Sequence, residues 1–195
     1  MPPCPRAMGY DAGFAKGGWA VVEQRGAEYW LLQLKVYQTK KDDGAGKRKL
    51  RVNEDDKERL HELYRSLREA MDTWKPKAMA VETFQANMKQ GRTGQGTSAR
   101  AFKTEQAVAA AAVLAWERDI VVLPFLPLDL KKPLTGDATA TKEDVQAWVS
   151  EHVKGAREAL AAIRAKTMHE HASDAVGHAV LALREIAEIR RKAQW

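Results

Sequence analysis

Two short apolar stretches, each closed by an acid, constrain this chain more than any other feature. AMGYD runs from Ala7 to Asp11 and AMAVE from Ala78 to Glu82. Both have the length and composition of short strands, and a run that is apolar at nearly every position belongs in the interior of a sheet, covered on both faces. A carboxylate at the end of such a strand sits where ligands gather in α/β sheets. The chain then bends at once after Asp11. In GYDAGFAKGGWAVVE, Gly13 permits a turn without a Cβ clash, and Gly17-Gly18 begin a returning strand. A rigid strand therefore delivers Asp11 to a fixed place.

The rest of the chain builds a sheet around these strands. Gly18 to Gln24 and Glu28 to Tyr37 are two more strands, joined by a turn at Arg25-Gly26-Ala27, which gives a β-meander. Thr39 to Arg51 is glycine-rich and charged, a loop. Asn53 is positioned as a helix N-cap, followed by Leu60, Leu63, Tyr64, Leu67 and Met71 at helical spacing. Lys75-Pro76-Lys77 ends that helix. Gln85 to Ser98 is a polar, mobile loop, Arg100 to Arg118 an alanine-rich helix, and Ile120 to Phe125 a buried strand. Thr141 caps a helix with Glu143 near the capping-box spacing. A helical piece, Arg157 to Lys166, leads to a last helix over His169 to Arg191. The order of three strands, helix, strand, helix, strand and helices predicts an α/β sandwich with a mixed sheet.

Composition matters mainly for what it excludes. The chain has 195 residues, enough for one domain with a sizeable core, and a net charge of +6, which suits a polyanionic partner without requiring one. Its only cysteine is Cys4, so an internal disulfide is excluded and a reducing, intracellular compartment is expected. No apolar run is long enough to cross a bilayer, and MPPCPRAMGY lacks the apolar core of a signal peptide.

A third acid, Asp174, lies in the last helix within HEHASDAVGHAV. His171 precedes it by three positions, so both project from one helical face, while Glu170 points elsewhere. Three carboxylates and an imidazole, if they converge, make a site for divalent metals. Hard oxygen ligands suit Mg²⁺ or Mn²⁺, and histidine is better tolerated by Mn²⁺. A pair of such ions about 4 Å apart supports phosphodiester hydrolysis. Spacing alone leaves the bland alternatives open: Asp11 as a turn residue, Glu82 as a solvated strand end, His171 and Asp174 as a surface pair.

The pattern Gly9, Asp11, Gly13, Gly18, Trp19 resembles the first strand-turn-strand of RuvC-type Holliday junction resolvases, in the RNase H-like (retroviral integrase) superfamily. AVETF resembles the family's second acidic strand, with Glu82 as the acid. ARAFKTEQAVAAAAVLAWERDIVVLPF resembles the helix and strand that follow, LKKPLTGDATATKEDVQAWV its basic loop and next helix, and HASDAVGHAVLAL its closing motif. The likeness spans about Gly9 to Leu183. It implies an RNase H-like fold with a five-stranded mixed sheet, an antiparallel meander plus parallel strands, flanked by helices. It also implies one nuclease domain over 7–191, with a short extension over 1–6 and a tail over 192–195.

The resemblance further implies a homodimer that cuts four-way DNA junctions with two Mg²⁺ or Mn²⁺ ions per site, leaving 5′-phosphate and 3′-hydroxyl ends. The catalytic and metal-holding set would be Asp11, Glu82, His171 and Asp174, with histidine where many members have aspartate, and His171 either a ligand or a proton acceptor. Lys131, Lys132 and Lys142 would contact phosphates. Phe84 would stack on a base at the junction centre, and Lys89, Arg92 and Arg100 would follow the DNA arms. The glycine-rich basic loop after Glu82 and the charged loop over Thr39 to Arg51 depart from the better-known bacterial members, as a phage- or mobile-element-encoded member would. The helix from Arg100 to Trp116 is a candidate dimer interface, although Ala109 to Ala112 suit packing on the sheet. A cytoplasmic, nucleoid-associated enzyme without membrane attachment follows. Rival readings are a nuclease for RNA–DNA hybrids or other branches, and a non-catalytic junction-binding protein. An actin-like or sugar-kinase ATPase shares G-x-D-x-G but needs two domains, for which 195 residues are too few.

Overall fold

The computed structural model describes residues 4–39, 52–83, 95–126 and 129–193; for 52, 53 and 95–100 it describes the backbone alone. Strands β1 (Arg6–Asp11), β2 (Lys16–Arg25) and β3 (Glu28–Gln38) form the meander. Helix α1 (Val52–Trp74), strand β4 (Ala78–Glu82), helix α2 (Gln95–Trp116) and strand β5 (Val121–Phe125) follow. Then come α3 (Lys131–Thr135), α4 (Lys142–His152), the two-residue strand β6 (Val153–Lys154), α5 (Ala156–Ala161) and α6 (His169–Ala193).

The sheet order is β5-β4-β1-β2-β3-β6. The meander is antiparallel, and β4 and β5 join β1 in parallel. This is the mixed α/β sheet expected, with six strands instead of five. The sixth, β6, pairs only Val153 and Lys154 with Tyr29 and Trp30, too short a stretch to leave a period in the sequence.

Alternation along the strands builds two different cores. Ala7, Ala78, Ala80, Ala20 and Val22 face α6 and its neighbours, where Ala172, Ala175, Val176 and Ala179 are fully buried. Met8, Tyr10, Trp19, Val21 and Met79 face α1 and α2, packed on Leu67, Met71, Ala111, Leu114 and Ala115. The α6 side is lined with small residues because the helix lies almost on the sheet. A Cβ at Gly9 would overlap the backbone of Ala175 and Ala179.

Several boundaries differ from the sequence reading. Asn53 lies inside α1, which begins at Val52, so it is not the N-cap of that helix. Gln95 to Ser98 belong to α2 instead of a loop. The strand expected as buried over Ile120 to Phe125 is an edge strand over Val121–Phe125, and Val121 is 51% exposed because β5 has a neighbour on one side only. The capping-box acid of α4 is Asp144 at the third helical position, not Glu143: its carboxylate accepts from the Thr141 N–H, and the Thr141 hydroxyl accepts from the Asp144 N–H. The helical piece before α6 is shorter than expected, Ala156–Ala161 followed by a 3₁₀ turn over Lys166–Met168. Of the alanines assigned to the sheet, Ala111 and Ala112 are buried and Ala109 is exposed.

Candidate active site

The site is built by period and register. In β1 the odd-numbered residues face α6, so Asp11 faces α6. In β4 the even-numbered residues do, so Glu82 does too. The parallel register pairs Tyr10 with Val81, which sets the two acids side by side at the carboxyl ends of adjacent central strands. Helix α6 crosses over them in contact with β1, β2 and β4, and its first turns carry His171 and Asp174. The absent side chain at Gly9 brings that helix close enough.

Asp11 is 8% exposed, and His171 Nδ1 lies 2.5 Å from its Oδ2. That hydrogen bond, with the carboxylate as acceptor, raises the His171 pKa against the opposing effect of burial. Among the described residues, neither Glu82 nor Asp174 has such a hydrogen-bonded partner. Burial first, then repulsion from Asp11 and from each other, raises Glu82 to about 8. Burial, then Asp11 and Glu170, raises Asp174 to about 7. Groups shifted this way by desolvation and like charge mark functional sites.

Glu170 does not point away as the sequence suggested. It adds negative potential at Glu82 and Asp174 and pairs with Lys142. Lys142 is thereby tied to the rim, and its pKa is raised first by the bond to Glu170. Lys131 and Lys132 begin α3, Lys131 half-buried and Lys132 exposed. The charge of Lys131 is felt at Asp137 and Asp144. Phe84, Lys89 and Arg92 lie outside the described residues, as does the side chain of Arg100.

The turn after Asp11 is held from β3. The Gly13 N–H donates to the Asp11 carbonyl at 3.0 Å, and the Tyr37 hydroxyl lies 2.8 Å from the Gly13 carbonyl and 3.1 Å from the Tyr10 hydroxyl. A phenol has one proton. The carbonyl can only accept, so Tyr37 donates to Gly13, and Tyr10 donates to Tyr37. A Cβ at Gly13 would overlap the Lys16 carbonyl. Sequence reasoning missed Tyr37, because nothing local ties a tyrosine at the end of β3 to a turn two strands away.

Among the described residues, no three acidic, histidine or cysteine side chains form a ready-made cage for an ion. One Asp11 oxygen is committed to His171. The donor chemistry nevertheless fits hard divalent ions: clustered, uncompensated oxygen ligands with one imidazole. Among the described residues, no helix is long and apolar enough to cross a membrane.

The family model described as "Crossover junction endodeoxyribonuclease RuvC" matches residues 7–182. A Synechococcus sp. (strain WH7803) protein of the same description is 28% identical over 140 residues, 72% of this chain and 78% of its own length. Its counterpart in Mycolicibacterium smegmatis is 28% identical over 176 residues, 90% of this chain and 80% of its own. Among solved structures, T. thermophilus RuvC in complex with Holliday junction substrate superposes with a TM-score of 0.65 at 26% identity, over 90% of this chain and 93% of that one. The yeast mitochondrial Holliday junction resolvase Ydc2 matches at a TM-score of 0.63 and 12% identity, over 91% of this chain and 77% of that one, a likeness of fold.

Proposed function

This chain belongs to the RuvC family of crossover junction endodeoxyribonucleases, and from that premise we propose that it resolves four-way DNA junctions by paired symmetric nicks in DNA recombination and repair. The observation that carries the reading is the meeting of Asp11, Glu82, His171 and Asp174 where β1, β4 and α6 converge, with the pKa values of Glu82 and Asp174 raised by burial and neighbouring acids.

The family's enzymes are metal-dependent nucleases. Here Asp11, Glu82, Asp174 and His171 would hold two divalent ions, Mg²⁺ or Mn²⁺. Such a pair, when bound, activates water for in-line attack on a phosphodiester and stabilises the departing 3′ oxygen, leaving 5′-phosphate and 3′-hydroxyl ends. The protein's own part is positional. Strands β1 and β4 fix two carboxylates on rigid supports. Asp11 holds the His171 ring by Nδ1, so the other ring nitrogen is the one left for a ligand or a proton. Lys142, tied to Glu170, supplies positive charge beside the acids for the DNA backbone. Lys131 and Lys132 extend that charge along α3.

Symmetric nicks need two sites at fixed separation, hence a twofold dimer. Helix α2 supplies a surface for it. Phe102 (65% exposed), Val113 (48%) and Trp116 (64%) share one helical face with the exposed Ala109. The enzyme would act in the cytoplasm, where its DNA substrate is.

The test is cleavage of a labelled four-way junction, a matched linear duplex, a Y-fork and an RNA–DNA hybrid, with Mg²⁺, Mn²⁺ or EDTA. Paired nicks in the junction alone, lost with EDTA, are expected. Equal cutting of fork or hybrid would replace the reading with a broader nuclease. Tight junction binding without cutting would replace it with a scaffold.

A further inference from the structure

Beside the four site residues lies a cavity of about 630 Å³ lined by Gly13, Phe14, Ala15, Lys16, Arg59, Lys103, Thr104 and His171. It opens between the turn that follows Asp11, helix α1 and helix α2. His171 is part of its wall, so whatever fills it lies next to the reacting centre. Its size falls in the range of about 300–1,000 Å³ typical of small-molecule sites, sufficient for one nucleotide.

Its chemistry is that of an anion site. Among the described residues, three of the lining side chains, Lys16, Arg59 and Lys103, are cationic and none is acidic. The backbone acceptors of the turn are already engaged. The Gly13 carbonyl takes the Tyr37 hydroxyl, the Phe14 carbonyl takes the Thr39 hydroxyl at 3.0 Å, and the Ala15 carbonyl takes the Thr39 N–H at 2.9 Å. The cations are held in place before any ligand arrives. Phe14 is 5% exposed, with the Arg59 guanidinium 4.6 Å and the Lys103 ammonium 5.6 Å from its ring centre. Arg59 also donates to Thr39 at 2.9 Å and pairs with Asp55 and Asp56, and Asp56 pairs with Lys103 too; neither acid lines the cavity, and together they offset part of this charge while fixing its place. Lys16 is different: it is half-buried at the start of β2 and, among the described residues, takes part in no ion pair.

We propose that this cavity is the subsite for the DNA strand next to the scissile bond, with Lys16 as the direct partner of the neighbouring phosphate and Lys103 and Arg59 as fixed supporting charge. The proposal rests on the junction-nuclease reading and assigns it a second binding element that meets the four site residues only at His171 and is separate from the lysines of α3 and α4. Thr104 offers a hydroxyl to the same phosphate or its sugar. The strand would then be gripped on the His171 side of the cut by the same turn that fixes Asp11, so phosphate position and carboxylate position are set by one piece of backbone.

A chemical double-mutant cycle tests this. Single neutral methylphosphonates are placed at each phosphate within three nucleotides of the cut, and junction binding is measured in EDTA for wild type, Lys16→Ala and Lys16→Gln. At one position on one side of the cut, the neutral group should weaken wild-type binding by about three- to tenfold, and Lys16→Ala should weaken binding of the unmodified junction by a similar factor. Combined, the two changes should cost no more than either alone, and the salt slope of the variant should fall by about one phosphate contact. Losses that multiply at every position, in both variants, would overturn the subsite. Wild-type protein that fails to cut junctions with Mg²⁺ or Mn²⁺ would instead defeat the nuclease reading itself, so the two failures are distinguishable.

Discussion

Carboxylates sit at opposite ends of the sheet, buried at one and half-buried at the other, and they are treated in opposite ways. Glu23, on β2 beside the start of β1, is 5% exposed and accepts from Arg6 at 2.8 Å and from Arg25 at 2.5 Å. Burial alone would raise its pKa, but the two arginines lower it. Those arginines also lie over Trp74 and Trp30. At the other end, Glu82 and Asp174 are raised to about 8 and about 7, because burial and neighbouring acids outweigh the His171 imidazole and, at Asp174, Lys142 as well. One end is electrically complete as it stands. The other holds carboxyl groups on rigid elements whose charged forms are disfavoured, so they keep protons until a cation replaces them. A buried acid therefore says little about function until its counter-charges are counted.

The largest expected effect breaks the functional end. Asp11→Asn removes an oxygen ligand and the group that orients His171. Junction cleavage should fall by about 10²–10³-fold or more, the scale set by removal of a group that stabilises transition-state charge. Junction binding should stay the same or tighten, since a negative charge facing DNA is lost. Retained cleavage in a single-turnover assay would remove Asp11 from the site.

Gly9→Ala probes the support beneath that end. The added methyl meets the backbone of Ala175 and Ala179, which cannot rotate away. Destabilisation of about 1–3 kcal/mol is expected from overpacking, together with slower cleavage as α6 lifts His171 and Asp174 from Asp11. A melting temperature and cleavage rate equal to wild type would show that α6 is not pinned there.

Glu23→Gln perturbs the balanced end. At neutral pH it should cost about 1 kcal/mol, since the arginines are partly in water, and leave cleavage untouched. The sign with pH is fixed. Glu23 has a lowered folded pKa, so its contribution is full above the unfolded value and is lost as pH falls through the folded one. Urea unfolding of wild type and variant should therefore converge in acid. A difference that grows as the pH drops would contradict the pairing.

How much of this was legible in the sequence depends on whether the signal was local. The AMGYD and AMAVE strands showed themselves because unbroken apolar runs mark central strands. The turn glycines followed from the bend after Asp11. That His171 and Asp174 share a face followed from helical period. Glu170 was misplaced because its neighbour Lys142 is distant in sequence, and a helical wheel cannot see a partner on another element. Tyr37, Arg59 and Lys103 left no trace for the same reason: a turn, a strand end and two helices meet there only in three dimensions. Strand β6, with two residues, has no period to detect. The exposure of Val121 reflects its place at the sheet edge, which an apolar run does not reveal.

The most direct test of the uncompensated end is calorimetric titration of the protein with Mn²⁺ at pH 7, in two buffers of different ionisation enthalpy. Glu82 and Asp174 have folded pKa values raised to about 8 and about 7, so both carry protons part of the time at that pH, and an ion that binds their carboxylates must displace them. The account predicts Mn²⁺ binding with net proton release, and loss of that release in the Glu82→Gln, Asp174→Asn double variant. Binding without proton release, or release unchanged in the double variant, would contradict it.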